Sequence, residues 1–239
     1  MKIYALVTAR SGSKGVTNKN LQELGGHSLL EWSITSIIKT PEVKSVFLST
    51  DSDKYAKCGE SFGAQIPFLR PPELATDTAV DLEVIKHFLN EIKDVPDMLL
   101  HIRPTTPLRD PQIISAAINR YISEEPNLTS LRSVHEMSES AYKSFEKSSG
   151  GFLKTISTVS DGDQANLPRQ LFPKTYQANG YVDILKPSLI LDKNKLHGDR
   201  ILAFETPVVT EVDSLEDLEY LRWQIIKDPG LINLVFNGL

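Results

Sequence analysis

A single cysteine, Cys58, in 239 residues leaves no intrachain disulfide and no multi-cysteine zinc site to be made. A reducing cytoplasm suits such a composition. No stretch approaches the roughly 18 consecutive apolar residues of a membrane span, and the N-terminal apolar run, interrupted at Arg10, is far shorter than a signal-peptide core with its cleavage site. There is no dense basic stripe: lysine and arginine are dispersed and the formal net charge is −5, which argues against a nucleic-acid partner. His27, His87, His101, His135 and His197 show no metal-ligand spacing, and no internal repeat or low-complexity tract occurs. What is there, 40% hydrophobic and 24% charged residues, is enough for one sizeable core with an added subdomain, the size of a small enzyme.

Against that background the first fifteen residues stand out. The apolar run Ile3-Tyr4-Ala5-Leu6-Val7 empties into Thr8-Ala9-Arg10-Ser11-Gly12-Ser13-Lys14-Gly15. Glycines let backbone N–H groups turn inward, Ser11 and Ser13 add hydroxyl donors, and Arg10 and Lys14 supply charge matched to phosphate oxygens. A nucleotide polyphosphate is the ligand this chemistry fits. The stretch matches neither G-x-x-x-x-G-K-[ST] nor G-x-G-x-x-G, so neither a Walker-type nor a dinucleotide site is implied. An ordinary strand-to-helix turn with solvated cations would read alike on the loop alone.

Strand-like runs alternate with amphipathic, helix-length segments through about residue 125, the pattern of a parallel sheet with crossover helices. A helix is expected around Leu29 to Lys39, a strand at Val46-Phe47-Leu48 running into Ser49-Thr50-Asp51, and a helix begun near Asp53. Strands are expected at Ile66-Pro67-Phe68-Leu69, running into Arg70, and at Met98-Leu99-Leu100-His101-Ile102, running into Arg103-Pro104-Thr105-Thr106. Asp110-Pro111 supplies an N-cap and a proline in the first turn of the next helix. Ligands of open α/β sheets bind at the carboxyl ends of strands, so the first loop, Asp51, Arg70 and Arg103 are expected in one crevice. Leu128 to Asp183 is Ser/Gly-rich, with Phe145, Phe152, Tyr176 and Tyr181 around turn signals, and reads as a β-rich excursion whose aromatics pack on a second subunit. Leu215 to Ile226 returns to helical spacing behind Ser214 as N-cap.

In order and spacing, Thr8 to Gly15 with Lys19-Asn20, Ser49-Thr50-Asp51, Leu69 to Thr78, Pro104 to Arg109, Pro168-Arg169-Gln170, Asn179-Gly180 and Glu211-Val212-Asp213 resemble the acylneuraminate cytidylyltransferases, or CMP-sialic acid synthetases, across nearly the whole chain. The resemblance implies a three-layer α/β/α nucleotide-diphospho-sugar transferase fold, Rossmann-like and mainly parallel. It implies one domain over residues 1–239, with a β-rich dimerisation arm at about 130–185 exchanged in a homodimer. The reaction implied is CTP plus a 2-keto-3-deoxy sugar acid giving a CMP-sugar and pyrophosphate, with Mg²⁺ as cofactor. A CTP-dependent transfer to another acceptor, such as a polyol phosphate, and a catalytically silent sugar-nucleotide-binding subunit are the competing readings.

Residue by residue, the resemblance assigns the nucleotide to Ala9, Arg10, Ser11, Gly12, Ser13, Lys14, Lys19, Asn20 and Arg70, and the sugar acid to Arg103, Thr105, Thr106, Lys143, Arg169, Gln170 and Asn179. Arg10, Lys14 and Asp213 are the expected catalytic groups. Sialic-acid members typically carry Gln-Pro-Thr-Ser-Pro-Leu-Arg where this chain has Arg103-Pro104-Thr105-Thr106, a cation in place of a neutral amide, so legionaminic, pseudaminic and Kdo-like acids stay open as acceptors. Glu211 and Asp213 alternate along a presumptive strand, so a period of two puts both on one face as the metal pair. The family's usual pair is Asp-x-Asp. Acidic residues ahead of a helix also serve as caps, the plainer reading of the same pair.

Overall fold

The side chains of Ile3–Thr8 alternate between two cores: Ile3, Ala5 and Val7 enter one apolar cluster, Tyr4 and Leu6 the other. A strand buried on both faces needs parallel neighbours with helices above and below, and the computed structural model has that arrangement. It describes residues 1–157 and 161–236. The strands are β1 (Ile3–Thr8), β2 (Glu23–Leu24), β3 (His27–Ser28), β4 (Ser45–Ser49), β5 (Met98–Ile102), β6 (Ser130–Glu136), β7 (Phe145–Lys147), β8 (Leu153–Thr155), β9 (Tyr176–Leu185) and β10 (Ile201–Glu205). The α-helices are α1 (Leu29–Ile38), α2 (Asp53–Ser61), α3 (Asp81–Glu91), α4 (Pro111–Glu124), α5 (Pro187–Lys193), α6 (Leu215–Lys227) and α7 (Gly230–Phe236).

Six strands form the central sheet in the order β10-β6-β9-β5-β1-β4. All its pairings are parallel except those of β9, which runs antiparallel between β5 and β6. Leu30, Ile34 and Ile37 of α1 and Ile114, Ala117, Ile118 and Tyr121 of α4 cover one face. Ile85, Phe88 and Leu89 of α3 and Ile190 of α5 cover the other. The three-layer fold with a mainly parallel sheet therefore stands as expected. Local signals set the helix starts: Ser28, Ser52 and Asp110 accept from N–H groups of the first turns of α1, α2 and α4, and Ser214 forms a capping box with Asp217 at α6.

Three expectations are corrected. Ile66 to Leu69 is no strand; Gln65 alone bridges Phe47, and the chain rejoins the β4 segment only where Arg70 N–H donates to Thr50 O at 2.7 Å. Pro67 has no N–H for a ladder, and Pro71 and Pro72 bar continuation. The excursion is also shorter than expected from residues 130–185. β6 and β9 at its two ends belong to the central sheet, and Tyr181 is buried within the chain, not offered to a partner. What leaves the body is the stretch from Met137 to Thr175, which holds the β7–β8 hairpin and short 3-10 turns. Residues 158–160 of the arm, like 237–239, lie outside the described residues. Finally, Glu211 and Asp213 lie beyond β10 in irregular backbone, not on a strand.

Candidate active site

The parallel strands bring Thr8, Ser49-Thr50-Asp51 and Arg103 to one edge, and a cleft of ≈ 260 Å³ opens there. Arg10, Ser13, Lys19, Asn20, Arg70, Arg103, Thr105, Glu211 and Asp213 line it, so nine of the expected residues converge, with Asp77 and Asp81 added to them. The first loop is fixed at several points. Ser11 donates to Asp51 through both its N–H (2.8 Å) and its hydroxyl (2.7 Å), and Asn20 Nδ2 donates to Arg10 O at 3.1 Å. Ala9 is buried, and its N–H donates to Ser49 O at 3.0 Å. Gly15 meets the far wall so closely that a Cβ there would fall 2.5 Å from Asp213 O, which only a glycine escapes. Arg10 Nη1 returns to Gly12 O at 2.7 Å, while its Nη2 and Lys14 Nζ both reach Asp77.

The acidic wall is built from Val212 outward. Its fully buried side chain enters a third apolar cluster with Leu24, Trp32, Leu218 and Leu221, and its N–H donates to Thr105 O at 2.7 Å. With Val212 facing inward, Glu211 and Asp213 on either side face the cleft, so the period-two reading reaches the right surface without a strand. Glu211 Oε1 accepts from Thr105 Oγ1 at 2.9 Å and Asp213 Oδ1 from Lys19 Nζ at 3.0 Å. Asp213 keeps 77% of its side-chain surface exposed. Two accessible carboxylates, with water and phosphate oxygens completing the shell, are the donor set that suits Mg²⁺. No group of three or more histidine, cysteine or acidic side chains able to hold a metal occurs among the described residues.

The other arginines of the edge differ from Arg10. Arg70 is buried, its Nε donating to Ser49 Oγ at 3.0 Å and Nη2 to Ser49 O at 2.7 Å. Burial pulls its pKa down to about 10. Arg103 bridges Asp81 (2.6 Å) and Asp183 (3.0 Å); burial lowers its pKa, but the two carboxylates outweigh that and raise it. Arg109, 1% exposed, donates to the carbonyls of Tyr181 (2.6 Å), Arg103 (2.7 Å) and Gly180 (2.9 Å) and to Ser33 Oγ (3.1 Å). Desolvation brings its pKa down to about 9.

Behind Arg103 lies a polar row that sequence reasoning missed. Asp183 on β9 faces His101 on β5 and Arg132 on β6 in register, and Arg132 Nε reaches its Oδ1 at 3.3 Å. Burial pushes Asp183 up, yet Arg103 and Arg132 prevail and hold it below the ordinary carboxylate range. Fully buried His101 shares a hydrogen bond of 3.0 Å with Thr8 Oγ1, and desolvation lowers its pKa to about 4. The one available signal was a polar residue inside each apolar run, Met98 to Ile102 and Tyr181 to Leu185.

The remaining expected residues are not in this cleft. Thr106 is fully buried. Asn179 is buried too, its Nδ2 donating to Thr206 Oγ1 at 2.7 Å and its Oδ1 accepting from Tyr181 N–H at 3.2 Å. Lys143 lies in a 3-10 turn of the arm. Arg169 and Gln170 line a separate hollow of ≈ 230 Å³ at the arm's base, with Arg169 Nη1 donating to Ser138 O at 2.7 Å. Phe152 (79% exposed), Leu153 (66%), Ile156 and Leu171 leave the arm apolar on its outside.

The chain is matched over residues 4–211 by a family model described as cytidylyltransferase. It is 42% identical over 120 residues to the N-acylneuraminate cytidylyltransferase of Escherichia coli O18:K1:H7, covering 50% of this chain and 28% of that protein. It is 32% identical over 121 residues to the CMP-N,N'-diacetyllegionaminic acid synthase of Legionella pneumophila, covering 49% and 52%. Those matches thus take in about half or less of each relative's length. Among solved structures it superposes on a CMP:2-keto-3-deoxy-manno-octonic acid synthetase complexed with CTP with a TM-score of 0.71 at 14% identity, covering 95% of this chain and 100% of that one. At that identity the likeness speaks for the fold. No helix among the described residues is long and apolar enough to cross a membrane.

Proposed function

Because the chain belongs to the cytidylyltransferase family, we propose that it transfers CMP from CTP to the anomeric hydroxyl of a 2-keto-3-deoxy sugar acid of the sialic or legionaminic kind, with release of pyrophosphate. The observation that carries this reading is a single cleft with Arg10 of the strand-end loop on one wall, Lys14 joined to it through their shared partner Asp77, and two accessible carboxylates, Glu211 and Asp213, on the other. The anomeric oxygen attacks the α-phosphorus in line as pyrophosphate leaves, and charge gathers on phosphate oxygens. Arg10, Lys14 and the Ser13 hydroxyl are the groups that would meet that charge. Lys19 orients Asp213 by its ion pair, and Thr105 orients Glu211 by its hydroxyl. Glu211 and Asp213 are the residues that would hold Mg²⁺, whose chemistry is to bind phosphate oxygens and neutralise their charge.

Lys143, Arg169 and Gln170 enter this reading through a homodimer whose exposed, apolar arm exchanges and delivers them to the partner's cleft. A cytoplasmic location accords with the lone cysteine. The test is to incubate the purified protein with CTP, Mg²⁺ and a panel of sialic, legionaminic, pseudaminic and eight-carbon keto-deoxy acids, with a polyol phosphate beside them, and to follow pyrophosphate release. Release that needs both CTP and one acid is expected. Release driven only by a polyol phosphate would replace the acceptor, and none with any acceptor would remove the enzymatic reading.

A further inference from the structure

Arg10 and Lys14 are not free to the cleft: Asp77 holds both, Oδ1 on Arg10 Nη2 and Oδ2 on Lys14 Nζ. Asp77 lies 67 residues from Arg10, in the segment between the short turn Pro72–Leu74 and α3, so two distant parts of the chain meet there. A carboxylate with one oxygen on each of two cations stands to them as a phosphate group does. We propose that Asp77 is an internal competitor for the nucleotide's phosphates: it organises the cation pair and subtracts from the charge that a polyphosphate meets, and so sets nucleotide affinity. The part of this that concerns CTP rests on the cytidylyltransferase reading.

Exposure makes such a role possible. The side chain of Asp77 is 35% exposed, that of Arg10 31% and that of Lys14 84%, so these pairs sit in water-like surroundings where each is weak. Asp77 can turn away without burying an unpaired charge. Arg103 has no such freedom, because its partner Asp183 is 1% exposed. A polyphosphate brings several negative charges against the single one of Asp77 and displaces it. The hydrogen bonds from Lys14 and Arg10 hold Asp77 below the ordinary carboxylate range, so it stays charged and competes at neutral pH.

The decisive variant is Asp77→Asn, which keeps shape and removes charge, with Asp77→Ser beside it. Titration calorimetry in Mg²⁺ buffer would measure the Kd of CTP and of inorganic tripolyphosphate for wild type and both variants. Tripolyphosphate is expected to bind the variants about 3- to 10-fold tighter, the effect of one exposed charge removed from beside two cations. An unchanged or weaker tripolyphosphate Kd in the variants, each first shown folded by thermal melting, overturns the proposal. The CTP arm keeps the two readings apart. If CTP binds neither form while tripolyphosphate gains, the competitor stands and the nucleotide reading falls; if CTP binds well and tripolyphosphate gains nothing, the competitor falls alone.

Discussion

Arginine does two unlike jobs at the carboxyl edge of this sheet. In the first loop Arg10 is a third exposed and faces a half-open carboxylate that it can exchange for a ligand. Elsewhere along the same edge Arg70 and Arg109 are buried and Arg103 is partly buried, bound to backbone carbonyls, Ser49 or buried Asp183, and they hold the edge together. The residue type is the same; access to water separates the roles. A guanidinium whose partners are main-chain oxygens cannot leave them without stranding buried acceptors, whereas one paired at the surface can.

The sharpest break of this contrast is Arg109→Met. Two carbonyls, of Tyr181 and Gly180, would lose the donor Arg109 gives them inside the fold, at about 1–3 kcal/mol each, while that of Arg103 would keep only Thr106 N–H at 3.2 Å. A loss of about 3 kcal/mol or more is expected, read as a melting temperature lower by roughly 6–12 °C. Unchanged melting would mean that Arg109 is no keystone. Next come the exposed groups. Lys14→Ala and Asp213→Asn should each lower turnover by about 10²-fold or more and leave the melting temperature near wild type, because each removes charge aimed at phosphates and nothing buried. If either variant melts early while its turnover is spared, it belongs on the structural side of the comparison.

Arg103 is the intermediate case. Arg103→Gln leaves buried Asp183 with Arg132 alone, so a loss of about 1–2 kcal/mol is expected, with the Kd for CTP and the ranking of acceptor acids as in wild type. A changed ranking would show that Arg103 meets the acceptor despite its two carboxylates, and would move it into the ligand-facing class.

Local rules were legible in the sequence, and long-range partners were not. The Ile3 to Val7 run, the caps at Asp110 and Ser214, and the cation-bearing loop depend on neighbours within a few residues. Glu211 and Asp213 were found on the right surface for a reason only half right: buried Val212 turns them outward, with no strand required. Nothing local shows that Ser49, 21 residues back, holds Arg70 at the cleft, or that Thr206, 27 ahead, takes the amide of Asn179. Asp77 stood inside a motif with no role, since its meaning comes from the loop it reaches. The insertion of β9 between β5 and β6 makes sheet strands of both ends of the excursion, and no periodicity reveals it. The row His101, Asp183, Arg132 depends on cross-strand register, which a one-residue slip would abolish.

That row gives the smallest effect and the most selective one. Burial holds His101 neutral, with its pKa lowered from 6.5 to about 4, while Arg103, His197, Asp81 and Asp183 surround it. Between pH 6.5 and about 4 the unfolded chain binds a proton at this position that the folded chain refuses, so stability should rise with pH across that window and level off above it. His197, whose pKa burial also lowers, adds to the slope with the same sign. The neighbouring carboxylates, held below their ordinary range, stay ionised above pH 5 and do not contribute there. His101→Gln keeps a polar partner for Thr8 and removes only the titration. The difference in melting temperature between pH 7 and pH 5 should therefore be smaller in His101→Gln than in wild type, with a remainder due to His197. An equal difference in both proteins would mean that the folded chain accepts the proton at His101, and that the edge carrying Arg103 is wetter than its buried arginines imply.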